Sequence, residues 1–91
     1  MTKVPQIHVE LLGIPRKRSG CDSVHIPAAT LGELLRLLGE RFPQLEGECL
    51  QTGTLMRGYL SCLNGQEFTN DPARLLKAGD TVIILSSDVG G

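Results

Sequence analysis

The sequence predicts an α+β domain in which one amphipathic helix covers one face of a mixed sheet. Three observations lead there. Leu31, Leu34, Leu35, Leu38 and Phe42 recur at helical spacing and form one apolar face. Short runs with a period of two lie before that helix, and the apolar run Val82-Ile83-Ile84-Leu85 lies well after it. The chain has 91 residues, enough for a single core. One helix and a few short strands can bury their apolar faces economically only as two layers.

The first strand is read from Ile7, Val9 and Leu11, which alternate with His8 and Glu10. The stretch GIPRKRSG follows. Gly13, Pro15 and Gly20 make it a loop, with Arg16, Lys17 and Arg18 as a solvated basic cluster or a docking point for an acidic partner. Val24 and Ile26 alternate with Ser23 and His25 in a second strand that stops at Pro27. The two strands are close in sequence and pair most simply as an antiparallel hairpin. A loop centred between Gly13 and Gly20 sets Leu12 opposite Cys21 and His8 opposite His25.

Thr30 and Glu33 form a capping box at the start of the helix, and Pro43 ends it by pushing the preceding residue out of the α region. Gly32 is a weak point near its start. Residues 44–57 lack a clean period, and Leu45, Leu50, Leu55 and Met56 are expected to dip toward the core. YLSCL reads as a strand leading into Asn64-Gly65, the strongest short hairpin signal, with QEF returning. NDPARLLKAGD is a turn region anchored by Leu75 and Leu76. Thr81 to Leu85 is the last strand, either buried on both faces or carrying an outward apolar patch. It can lie parallel to the first strand, because the helix supplies the crossover.

Composition narrows the function. The net charge of −1 argues against general nucleic-acid binding, which needs a basic field. Aromatics are 3% (Phe42, Tyr59 and Phe68), too few for a base-stacking platform. No apolar run reaches the roughly 18–20 residues that span a bilayer, and no signal-peptide pattern opens the chain, so a cytoplasmic protein without a membrane partner is expected. Cys21, Cys49 and Cys62 are widely spaced and read as free thiols, Cys62 as a small buried hydrophobe and Cys21 as exposed. A plant-type [2Fe–2S] cluster needs four cysteines, so three exclude it. No paired carboxylates, Ser-His-Asp set or phosphate loop is visible, so catalysis by this chain is not expected. His8, His25 and Glu10 share a face, but no third strong ligand accompanies the histidines, and no metal site is assigned.

VELLGIPRKRSG, TLGELLRLLGERFPQL, LNGQEF and LLKAGDTVIILSSDVGG together span the chain. On these segments the chain resembles the ubiquitin-like β-grasp sulfur carriers. That group comprises the small subunit of molybdopterin synthase, the sulfur carrier of thiamine biosynthesis, and the ubiquitin-related modifiers that also carry sulfur for tRNA thiolation. The resemblance implies a ubiquitin-like β-grasp domain over residues 1–85, with a mixed sheet of four to five strands on one main helix, and a flexible tail over 86–91. It also implies a working group: the carboxylate of Gly91, with Gly90 beside it. A ubiquitin-activating-like enzyme would adenylate it with ATP and Mg²⁺, a sulfur-donor protein would convert it to a thiocarboxylate, and an acceptor synthase would take the sulfur. On this resemblance the chain is expected to bind no cofactor and to be monomeric when free.

The residues agree with that reading. Two glycines make a thread thin enough for a narrow channel, and Ser86, Ser87, Asp88 and Val89 would form an extended arm. If Val82 and Ile84 face the helix, Ile83 and Leu85 face outward. Leu12, out of phase with the inward residues of its strand, would join them in a partner patch. Molybdopterin-type carriers often have two prolines before their last four residues, where this chain has Ser86-Ser87. Thiamine-type carriers have less material than residues 44–57 supply. Molybdopterin, thiamine and tRNA thiolation remain the open pathways. Conjugation to lysines through Gly91 and simple non-covalent protein binding are the alternatives to sulfur carriage.

Overall fold

The structure is a computed structural model and describes residues 4–87. Strands β1 (Gln6–Leu11) and β2 (Ser23–Pro27) flank a short helix α1 (Ile14–Ser19). The main helix α2 (Leu31–Arg41) runs into a 3-10 turn at Pro43–Leu45. Next come β3 (Leu50–Gln51), β4 (Thr54–Leu55), β5 (Tyr59–Leu63), β6 (Glu67–Phe68) and β7 (Thr81–Ser86). Five strands form one sheet in the order β2-β1-β7-β5-β6, and β3 and β4 pair separately. β7 lies parallel to β1 and antiparallel to β5, which makes it the central strand.

The core lies between α2 and one face of the sheet. Ile7, Val9 and Leu11 of β1, Val82 and Ile84 of β7, and Leu34, Leu35 and Leu38 of α2 are all buried there. Leu45 and Leu50 close the far side, while Leu55 and Met56 are half-buried, so residues 44–57 reach the core as expected. The antiparallel pairing of β1 and β2 has the expected register, with His8 opposite His25.

The capping box forms in part, with the Glu33 carboxylate turned to the residue before the cap. The Glu33 N–H donates to Thr30 Oγ1 at 3.1 Å, and the Glu33 carboxylate accepts from the Ala29 N–H at 2.8 Å. Two of the remaining unpaired donors at the α2 N-terminus go to the 70s segment: Leu31 N–H to the Arg74 carbonyl and Gly32 N–H to the Pro72 carbonyl, both 2.9 Å. This contact explains Gly32. A Cβ there would lie 2.9 Å from Pro72 Cβ and 3.1 Å from Pro72 O, so a helix-weakening glycine is what lets the segment approach.

Four expectations need correction. The stretch after β1 is not wholly a loop, because residues 14–19 form α1. Pro15 sits in its first turn, where a missing N–H costs nothing, and Gly20 closes it in the left-handed conformation. Leu75 is 72% exposed and does not anchor the turn; Leu76 is buried, and neighbouring residues of extended chain cannot both point inward. The Asn64-Gly65 turn forms, with both residues at positive φ, but pairing resumes only at Leu63 with Glu67, so Gln66 is an extra residue in the connection. The last strand continues past residue 85: Ser86 pairs with Tyr59, and the Ser87 N–H donates to the Gly58 carbonyl at 2.8 Å.

Candidate functional site

The face of the sheet turned away from α2 carries the features that could do work. Residues directly opposite on neighbouring strands share a face. Leu60 pairs with Leu85, and Cys62 pairs with both Ile83 and Phe68, so these five lie together on the outer side. Leu12 follows β1 in the same outward phase. Its N–H donates to the Ile84 carbonyl at 3.0 Å, which holds it beside β7. Leu12 is 40% and Phe68 64% exposed, while Ile83 and Leu85 are half-buried. A stripe of apolar side chains therefore crosses the sheet where water would be expected to meet polar ones.

Cys62 belongs to this face. It is buried, yet it is absent from the cluster packed against α2, because the outer side chains around it cover it. Cys21 is partly exposed and donates its thiol to the Ser23 carbonyl. Cys49 is fully buried and hydrogen-bonded to Tyr59. Burial holds the Cys49 thiol above its ordinary pKa, and burial with the Cys49 contact does the same for the Tyr59 hydroxyl. Both stay neutral near pH 7, which makes the thiol a poor nucleophile.

At one end of the stripe a cleft of about 340 Å³ is lined by Leu12, Gly13, Ile14, Leu85 and Ser86. Gly13 has φ +64° and ψ −129°, a conformation closed to residues with a side chain. It reverses the chain so that Leu12 and Ile14, both 40% exposed, stand on either side of it. Residue reading had found Leu12, Ile83 and Leu85 but missed Ile14, which looked like a loop residue. It also missed Leu60 and Phe68, whose facing depends on the register of β5 against its neighbours. Ser86 and Ser87, expected in the arm, are fastened to the sheet at the cleft end and are the last of the described residues. Asp88, Val89, Gly90 and Gly91 lie outside the described residues.

At the other edge of the same face the His8 and His25 rings stack with centroids 5.0 Å apart, and Glu10 Oε1 lies 4.0 Å from His8 Nδ1. Among the described residues no group of three or more metal-ligating side chains could hold an ion, and no helix is long and apolar enough to cross a membrane.

No family model and no curated protein matches the sequence. Solved structures do. The chain is similar to the small archaeal modifier protein 1 of Methanosarcina acetivorans, with 21% identity over 96% of this chain and 97% of that one and a TM-score of 0.81. It is similar to a chain of the BexX/CysO complex of Amycolatopsis orientalis, with 25% identity, 93% and 99% coverage and a TM-score of 0.76. A third is a chain in the complex of subunits 1 and 2 of the Helicobacter pylori molybdopterin-converting factor, at 22% identity, 94% and 99% coverage and a TM-score of 0.66. The mixed five-stranded sheet on one main helix matches these structures over nearly their full length, and the protein has the ubiquitin-like β-grasp fold.

Proposed function

We propose that the protein is a ubiquitin-like sulfur carrier whose outer sheet face docks partner enzymes and whose Gly91 carboxylate carries the sulfur. The observation that carries this reading is the position of the Leu12–Leu85 cleft. It adjoins Ser86 and Ser87, so a partner seated on the apolar face is next to the last described residues of the chain. Two of the similar structures are protein–protein complexes, which supports a docking role for a chain of this fold.

The chemistry needs activation because a carboxylate is a poor electrophile. A carboxylate oxygen of Gly91 attacks the α-phosphate of ATP, pyrophosphate leaves, and an acyl-adenylate results. The terminal sulfur of a persulfide then attacks the carbonyl carbon and AMP leaves. A second thiol of the donor attacks the inner sulfur, the S–S bond breaks, and its electron pair stays on the thiocarboxylate. Nothing in this sequence asks the carrier for an acid, a base or a metal. It supplies a reactive end and a surface for recognition.

The molybdopterin pathway is the first destination to test, and the second subunit of the similar Helicobacter pylori complex is the kind of acceptor it implies. Thiamine and tRNA thiolation follow. A second reading has support from the small archaeal modifier among the similar structures: the same activated carboxylate would acylate lysines. Incubation with ATP, Mg²⁺, an adenylating enzyme and a persulfide donor, followed by intact-mass measurement, tests the first reading. The expected product is heavier by the exchange of one oxygen for sulfur. Deletion of Gly91 should leave the fold intact and abolish ATP–pyrophosphate exchange. Exchange at the full rate without Gly91 would refute the assignment. Lysine-linked adducts without sulfur gain would favour the modifier.

A further inference from the structure

The apolar cleft does not end at Ile14. On the far side of that residue a second cleft, of about 550 Å³, is lined by Ile14, Lys17, Arg18 and Gln44. Arg18 is held in place by Glu48 at 3.2 Å, and Arg16 lies 3.6 Å from Asp22. Lys17 makes no ion pair among the described residues. Three cations thus face two carboxylates, and the uncompensated charge stands directly beside exposed apolar surface.

We propose that α1 extends the docking surface and selects a partner segment of mixed character. Such a segment sets a large apolar side chain against Leu12, Ile14 and Leu85, while an aspartate or glutamate beside it pairs with Lys17 and Arg18. Ile14 and Lys17 are three apart on one helix, within about 5–6 Å, so one segment reaches both. A nucleic acid is the wrong occupant, since it needs a broad basic field and this chain's net charge is −1. An acidic residue next to an apolar anchor matches both clefts at once. The proposal rests on the reading of the outer face as a docking surface, and it adds the charge that a partner must bring.

Random dodecapeptides displayed on phage and selected against the full chain test it without any sulfur chemistry, so a failed thiocarboxylation leaves this result independent. The enriched peptides should pair an apolar residue with Asp or Glu. Measured by fluorescence anisotropy, the affinity of the best peptide should fall about tenfold in Lys17→Glu. It should fall as far in Leu85→Asp and hold in Arg41→Glu, an exposed charge reversal at the end of α2. Circular dichroism should show all three variants folded; Lys17 is exposed, so its reversal should not disturb the core. Enriched peptides without acidic residues, an unchanged affinity in Lys17→Glu, or an equal loss in Arg41→Glu would overturn the proposal.

Discussion

Asp80 is a buried carboxylate with two hydrogen-bond donors. It is 5% exposed, accepts from Asn64 Nδ2 at 3.0 Å and from the Lys77 N–H at 2.9 Å, and so ties the β5–β6 hairpin to the start of β7. Asn64 completes the clamp by accepting from the Thr81 N–H at 2.9 Å. Burial disfavours the Asp80 charge, but these hydrogen bonds outweigh it and hold the carboxyl below its usual pKa. Because the folded pKa is the lower one, this stabilisation is complete above the unfolded value of about 4 and is lost as pH falls through the folded value. Asp80→Ala should cost about 1–3 kcal/mol at pH 7, measured by urea unfolding. Its stability should also vary less with pH below about 4 than that of the parent. An equal acid sensitivity in both proteins would exclude Asp80 as the source.

Gly32 makes a second case at the residue scale. Replacing a helix glycine with alanine ordinarily gains up to about 1 kcal/mol. Here the new methyl would lie 2.9 Å from the Pro72 ring and 3.1 Å from its carbonyl, neither of which is the free end of a flexible side chain. Gly32→Ala should therefore destabilise, by about 1–2 kcal/mol in urea titration. A stabilised variant would show that the Pro72 segment moves freely.

At the scale of elements, β7 decides most of what the surface offers. It is paired on both sides, and its alternation sends Val82 and Ile84 to α2 and Ile83 and Leu85 to the outer face. Four consecutive apolar residues were compatible with a strand buried on both sides. Among the described residues no second layer covers the outer face, and that makes half of them a patch. Leu85→Asp should accordingly weaken partner binding in pull-down or anisotropy while shifting the melting temperature by only a few degrees. A collapse in melting temperature would place Leu85 in the core. α1 is a helix that residue reading took for a loop. Its six residues include a proline and are bounded by two glycines, a composition that favours loops, and only contacts to the 3-10 turn and β7 make it a helix.

For the whole molecule, the fold brings three separated stretches to one end. Leu12 and Ile14 come from the first connection, Leu85 and Ser86 from the last strand, and Tyr59 and Gly58 fasten Ser86 and Ser87. This convergence follows from the parallel pairing of β1 with β7, which sets Leu11 beside Ile84 and aligns the two strand ends. The apolar cleft and the last described residues of the chain, Ser86 and Ser87, therefore lie at the same end, which is the juxtaposition that the proposed carrier role requires.

Local signals pointed to the five strands of the main sheet, the main helix and its cap, the β1–β2 register and most of the inward residues: spacing for the strands and helix, Thr30 and Glu33 for the cap, and the glycine-bounded loop for the register. The resemblance of the whole chain to sulfur carriers pointed to Gly91. What only the tertiary structure decided were long-range facts: that Gly32 makes room for Pro72, that Leu76 rather than Leu75 is buried, that Leu60, Cys62 and Phe68 join Leu12, Ile83 and Leu85 on one face, and that α1 is a helix. Each depends on which distant segment lies alongside, and pairing across tens of residues leaves no period in the sequence to read.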